Sequence, residues 1–91
     1  MRVRWDEAKR FRVLSDRNID FEQLADLLYS PYIEDQRSEV PEQYRIIGFA
    51  EGQLTTFIVE YRTDERGEYI WVVTAWNATK QEQRSYEQYT Y

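Results

Sequence analysis

Residues 44–76 read as three strands in succession, and this run restricts the chain to folds built on an antiparallel sheet. Tyr44 to Phe49 is the first, Leu54 to Arg62 the second and Glu68 to Trp76 the third, with turns at Glu51-Gly52 and at Thr63-Asp64-Glu65-Arg66-Gly67. The middle run alternates Phe57, Val59 and Tyr61 against Thr56, Ile58 and Glu60, as a sheet with one buried face requires. The third is apolar on both faces (Ile70, Trp71, Val72, Val73), which predicts a central strand covered by a helix.

Ahead of this run, Met1 to Trp5 alternates and suits a short strand. Asp6 is a good N-cap for a helix over 7–17, with a narrow apolar stripe of Ala8, Phe11 and Leu14, and Asn18 can take the left-handed conformation that ends it. A second helix opens at Asp20, with Gln23 at the reciprocal capping position and Ile19 placed to staple onto Leu24. Its buried face is predicted to be Phe21, Leu24, Ala25 and Leu28, and Ser30-Pro31 stops it. The acidic segment Ile33 to Glu39 reads as an edge strand or a loop. Thr79-Lys80-Gln81-Glu82 is a capping box opening a final helix, with Tyr86 and Tyr89 on one face. The expected class is α+β over residues 1–91 as one domain: an antiparallel meander of three to four strands packed by two N-terminal helices and one C-terminal helix.

A chain of 91 residues buries only about 60% of its unfolded surface, so fifteen aromatics (Trp 3, Tyr 8, Phe 4) must supply much of the core. There is no cysteine and no histidine, which removes thiolate and imidazole chemistry and points to a reducing compartment. The opening residues lack the apolar stretch of a signal peptide, and no apolar run approaches the roughly 20 residues that span a bilayer. A cytoplasmic location away from membranes is therefore expected. The net charge of −5 is uneven: residues 1–17 carry six basic and three acidic side chains, leaving −8 on the remainder. The basic start suits either a face for an acidic partner or a solvated amphipathic helix. An acidic whole works against tight nucleic-acid binding. Gly48, Gly52 and Gly67 are isolated turn residues and form no phosphate loop. The carboxylates lack metal-loop spacing, so neither a metal nor a cofactor is expected.

Segments such as Trp5-Asp6-Glu7-Ala8-Lys9, Glu42-Gln43-Tyr44-Arg45-Ile46-Ile47-Gly48 and Ile70 to Thr79, taken in order, resemble the BrnT-type toxins. Trp5-Asp6-Glu7-Ala8-Lys9 followed by Ile19-Asp20-Phe21-Glu22 is similar to that family's opening. Glu42-Gln43-Tyr44-Arg45-Ile46-Ile47-Gly48 and Phe57-Ile58-Val59-Glu60-Tyr61 look like two of its strands. Ile70 to Thr79, with Glu82 and Tyr86, is similar to its closing segment. The resemblance spans nearly the whole chain. It implies a RelE-like fold and the toxin half of a type II toxin–antitoxin pair, a messenger-RNA-cleaving ribonuclease neutralised by a ribbon-helix-helix antitoxin. Such chemistry needs no metal, because the RNA 2′-hydroxyl attacks the adjacent phosphate while cationic groups stabilise the charge and a base and an acid move protons.

The departures from the pattern fall on cationic positions. Arg17 stands at the family's histidine, Asn18 at its glycine, Gln43, Trp71 and Trp76 at three arginines, and Asn77 where lysine is frequent. Each lost cation removes a charge-assisted contact to phosphate. The catalytic candidates that remain are Arg17, Glu42, Arg45, Arg62 and Glu82, with Lys80, Arg84 and Trp76 as candidate RNA contacts. Each has a plainer role available. Glu82 suits the capping box, Arg45 and Arg62 suit exposed strand faces, and Trp71 and Trp76 alternate out of phase, which places at least one in the core. Glu42 could pair with Arg45 or Arg62. The resulting expectation is a BrnT-like protein with altered or lost nuclease activity that binds an antitoxin. An active ribonuclease with a rebuilt site and an interaction domain recruited from this fold are the alternatives, and homo- or hetero-oligomers remain open.

Overall fold

The computed structural model describes residues 1–90. Strand β1 (Arg2–Trp5) leads into α1 (Glu7–Arg17) and the short α2 (Gln23–Leu27). Four strands follow, β2 (Tyr32–Glu39), β3 (Glu42–Ala50), β4 (Gln53–Asp64) and β5 (Gly67–Asn77), and α3 (Lys80–Thr90) closes the chain. The fold is α+β: one five-stranded sheet, ordered β1-β5-β4-β3-β2, with three helices. No helix is long and apolar enough to cross a membrane among the described residues.

The sheet differs from the expected antiparallel meander in one respect. β2 to β5 do form a four-stranded meander, but β1 adds a fifth strand parallel to β5, with Val3 opposite Ile70 and Trp5 opposite Val72. The acidic segment is thus strand β2, at the far edge. β1 occupies the free edge of β5, where Val3 and Trp5 join the core. The pairing joins segments at opposite ends of the chain, so local alternation carries no sign of it.

Local signals placed the ends of α1. Asp6 accepts a hydrogen bond from the Ala8 N–H at 3.0 Å, and Asn18 ends the helix at φ 58°. Its inward face is not the expected one. Val13 is buried, whereas Ala8 is exposed and Phe11 is 61% exposed beside the Arg10 guanidinium. Of the expected stripe only Leu14 is turned partly inward, beside Val13. α2 is also shorter than expected. Asp20 caps Glu22 at 3.0 Å and binds Arg10, and the reciprocal bond from Gln23 is absent among the described residues; Phe21 and Leu24 are buried as expected, but Leu27 joins them while Ala25 is exposed and Leu28 only half-buried. Gly48, read from sequence as a turn residue, lies inside β3. A Cβ there would sit 3.0 Å from Leu27 and 3.1 Å from Tyr32, so glycine is what lets α2 lie close against the sheet.

The main core fills the space between the sheet and α1 and α2, around Phe21, Leu24, Leu27, Ile46, Phe57, Val59, Ile70 and Val72. A smaller cluster, with Ile47, Ala78 and Tyr86 against Ile33 and Leu54, lies under α3 on the opposite face. α3 covers only part of that face. The strip left over carries the candidate site.

Candidate functional site

Glu82, on α3 at the margin of this strip, is the centre of the site. The capping box forms as expected: the Thr79 N–H donates to Oε1 of Glu82 at 2.9 Å, and the Glu82 N–H donates to the Thr79 hydroxyl at 3.1 Å. Oε1 also accepts from the Thr56 hydroxyl at 2.9 Å and from Nε1 of Trp76 at 3.0 Å. Oε2 faces Nη1 of Arg45 at 3.5 Å. Glu82 is only 5% exposed, and burial by itself would raise its pKa. The donors from Thr79, Trp76, Thr56 and Arg45 outweigh burial and hold the carboxyl below the ordinary glutamate value.

Arg45 is itself committed. Its Nε donates to Oδ1 of Asp35 at 2.9 Å, and Nη2 pairs with the second oxygen of the same carboxylate. The β2–β3 register places Asp35 opposite Arg45. Two residues further on, β2 bulges at Arg37, whose guanidinium lies 5.4 Å over the Trp76 ring.

A second group lies further along the same face. Arg62 stacks 4.4 Å over Trp71 and binds Glu60 at 2.7 Å, and Glu60 also accepts from Gln43 at 2.9 Å. Arg2 and Arg4 lie 5.3 and 5.1 Å from the Tyr69 ring. Arg2 and Arg4 both pair with Asp64, and the Arg2 guanidinium together with the Arg66 N–H lowers that carboxyl to about 2. Trp71 and Trp76 therefore share one face, and neither is in the core. A register shift adds Val73 to β5 between the Ile58–Thr74 and Val59–Val72 pairs, which brings the two rings into phase.

The remaining candidates lie apart. Arg17 donates to the Ala75 carbonyl at 2.8 Å and the Thr74 hydroxyl at 3.3 Å, tying the end of α1 to β5. Beside it is a polar cavity of about 250 Å³ lined by Asn18, Gln23, Gln53, Thr55 and Asn77. Glu42 accepts from the Tyr44 hydroxyl at 2.7 Å and pairs with neither Arg45 nor Arg62, which take Asp35 and Glu60 instead. Lys80 and Arg84 are exposed on α3 and hold no ion pair among the described residues.

Of the eight residues singled out, the structure thus unites Arg45, Glu82 and Trp76 and leaves the other five outside. Asp35, Thr56 and Arg37 complete the cluster and were not foreseen, because each enters through strand register or a bulge. Chemically, the cluster holds an electrophile already paired with Asp35 and a carboxylate whose Oε1 takes three donors while Oε2 has only the long Arg45 contact. An ionised carboxylate with a lowered pKa is a weak proton acceptor near neutrality. No group of three or more carboxylates stands close enough to hold a metal among the described residues. Compared with known proteins, the chain matches no protein-family model and no curated sequence.

Proposed function

We propose that the protein is a BrnT-like, RelE-like component of a type II toxin–antitoxin pair, with altered or lost nuclease chemistry, whose retained function is to bind a ribbon-helix-helix antitoxin. The sequence resemblance supports the family, and one observation carries the loss of chemistry. The Glu82 carboxylate accepts from Thr56, Trp76 and Thr79 and faces Arg45, so the best-placed base on this face is spent on holding α3 to the sheet. Expressed alone, the chain should not arrest growth, and it should copurify with the ribbon-helix-helix product of a neighbouring reading frame. Growth arrest that Arg17→Ala, Arg45→Ala or Arg62→Ala relieves would overturn this reading.

A ribonuclease with a rebuilt site is the second reading, favoured by the arginines layered over Tyr69 and Trp71. Stacking on such rings is worth about 1–3 kcal/mol per base. It requires cleavage of a single-stranded RNA by purified protein, reduced by Arg62→Ala.

A further inference from the structure

Every tryptophan of this chain lies beside an arginine of the same chain. Arg10 is 5.9 Å from Trp5, Arg62 is 4.4 Å from Trp71 and Arg37 is 5.4 Å from Trp76. Phe11 and Tyr69 are covered in the same way. On the face of the sheet that carries α1 and α2, one aromatic surface has no arginine over it among the described residues. Just past the end of α2, Leu28 and Tyr29 gather with Tyr32 of β2, Tyr61 of β4 and Ile70 of β5. The result is a cleft of about 300 Å³ lined by Met1, Leu28, Tyr29, Tyr32, Tyr61 and Ile70. Tyr29 is 91% exposed, and Tyr32 and Tyr61 are about 40% exposed.

The rim is acidic. The Tyr61 hydroxyl donates to Glu34 at 2.8 Å, and Tyr44, edge-on to Tyr61 at 5.3 Å, donates to Glu42 at 2.7 Å. Both phenols are pushed above the ordinary tyrosine value, Tyr61 by burial and the Glu34 contact and Tyr44 chiefly by the Glu42 contact, so they remain neutral donors. Neither lysine nor arginine lines the cleft, so the α-ammonium of Met1 is the one cationic group among its lining residues, and residues 18–91 carry a net charge of −8.

From the tyrosine rings that no arginine covers and the two rim carboxylates we infer that this cleft docks a protein segment presenting an arginine or lysine flanked by apolar side chains. The apolar side chains fill the floor over Leu28 and Ile70. The cation meets the ring faces and the Glu34 and Glu42 carboxylates, an arrangement worth more once water is displaced. The inference deepens the partner-binding reading and rests on it only in taking the occupant to be a protein.

The test uses the full chain and a short blocked peptide built from Leu-Arg-Leu triplets, with a Leu-Glu-Leu peptide as control. Amide resonances of Tyr29, Tyr32 and Tyr61 should shift with the basic peptide only. Tyr29→Ser with Tyr32→Ser should weaken binding about tenfold, the size expected for losing two ring–cation contacts. Glu34→Gln, which leaves the apolar floor intact, should weaken it several-fold. Equal binding of the acidic peptide, or unchanged affinity in both Tyr29→Ser and Glu34→Gln, overturns the inference. A dimer in sedimentation that Tyr29→Ser dissociates, or a single-stranded RNA that shifts the same resonances, also overturns it by assigning another occupant. If the neighbouring frame's product copurifies with wild type and with Tyr29→Ser/Tyr32→Ser alike, docking here fails while the partner reading stands. If the basic peptide binds here but no such product copurifies, the reverse holds.

Discussion

Replacing Glu82 by alanine separates a structural carboxylate from a catalytic one. The substitution strands the Thr56 hydroxyl, which is fully buried, and an unsatisfied buried donor costs about 1–3 kcal/mol. It also removes one half of the α3 capping box, worth about 1 kcal/mol. The Arg45 contact adds little, at most about 1 kcal/mol, because it is long and Arg45 keeps Asp35. Trp76 is only half-buried, and its Nε1 can turn to water. The expected loss is about 3–4 kcal/mol, a large fraction of the roughly 5–15 kcal/mol that holds a domain together. Urea titration followed by tryptophan fluorescence should show the midpoint falling by about 2 M, taking a slope of about 1.5 kcal/mol per M. Glu82→Gln keeps a carbonyl acceptor for Thr56 and Thr79 and should cost only about 1 kcal/mol. A loss below about 1 kcal/mol for Glu82→Ala would refute the reasoning. So would an RNA-cleaving activity that Glu82→Gln abolishes while the urea midpoint stays in place, since that is how a proton acceptor behaves.

Other consequences are open to the same measurement. Gly48→Ala should destabilise by about 1–3 kcal/mol, because the new methyl meets Leu27 at 3.0 Å; an unchanged midpoint would show that α2 can move aside. Val13→Ala should cost about 1–3 kcal/mol and Phe11→Ser less than about 0.5, the reverse of their sizes, since only Val13 is buried. The carboxyls of Asp64, Glu82, Asp20 and Glu60 all lie below their ordinary values of 3.8 and 4.5 in the folded protein. The unfolded chain therefore binds protons first as pH falls, so the stability these groups contribute is complete above about pH 5 and is lost progressively toward the Asp64 value of about 2. Urea midpoints measured from pH 6 to pH 2.5 should be level and then fall, and a midpoint that rises on acidification would contradict the signs.

The sequence by itself determined what depends on a few neighbouring residues. The alternation of Phe57, Val59 and Tyr61, the caps at Asp6, Asn18 and Thr79–Glu82, and the turns at Gly52 and Gly67 all stand where local backbone chemistry places them. So does the order of a short strand, two helices, a run of strands and a closing helix. Arg45, Glu82 and Trp76 could each be picked out as chemically capable, but their meeting could not. Arg45 and Glu82 are 37 residues apart in sequence, and they converge because β3 lies beside β4 in one register and α3 folds back over both. The tertiary structure alone decided that β1 joins β5 in parallel, that Val13 and not Phe11 faces the core, and that Val73 brings Trp71 and Trp76 onto one face. The physical reason is the same in each case. Spacing within a segment says which residues can share a face, but a single inserted residue or a small change in helix crossing reverses which face is covered, and those are set by contacts between segments far apart in the chain.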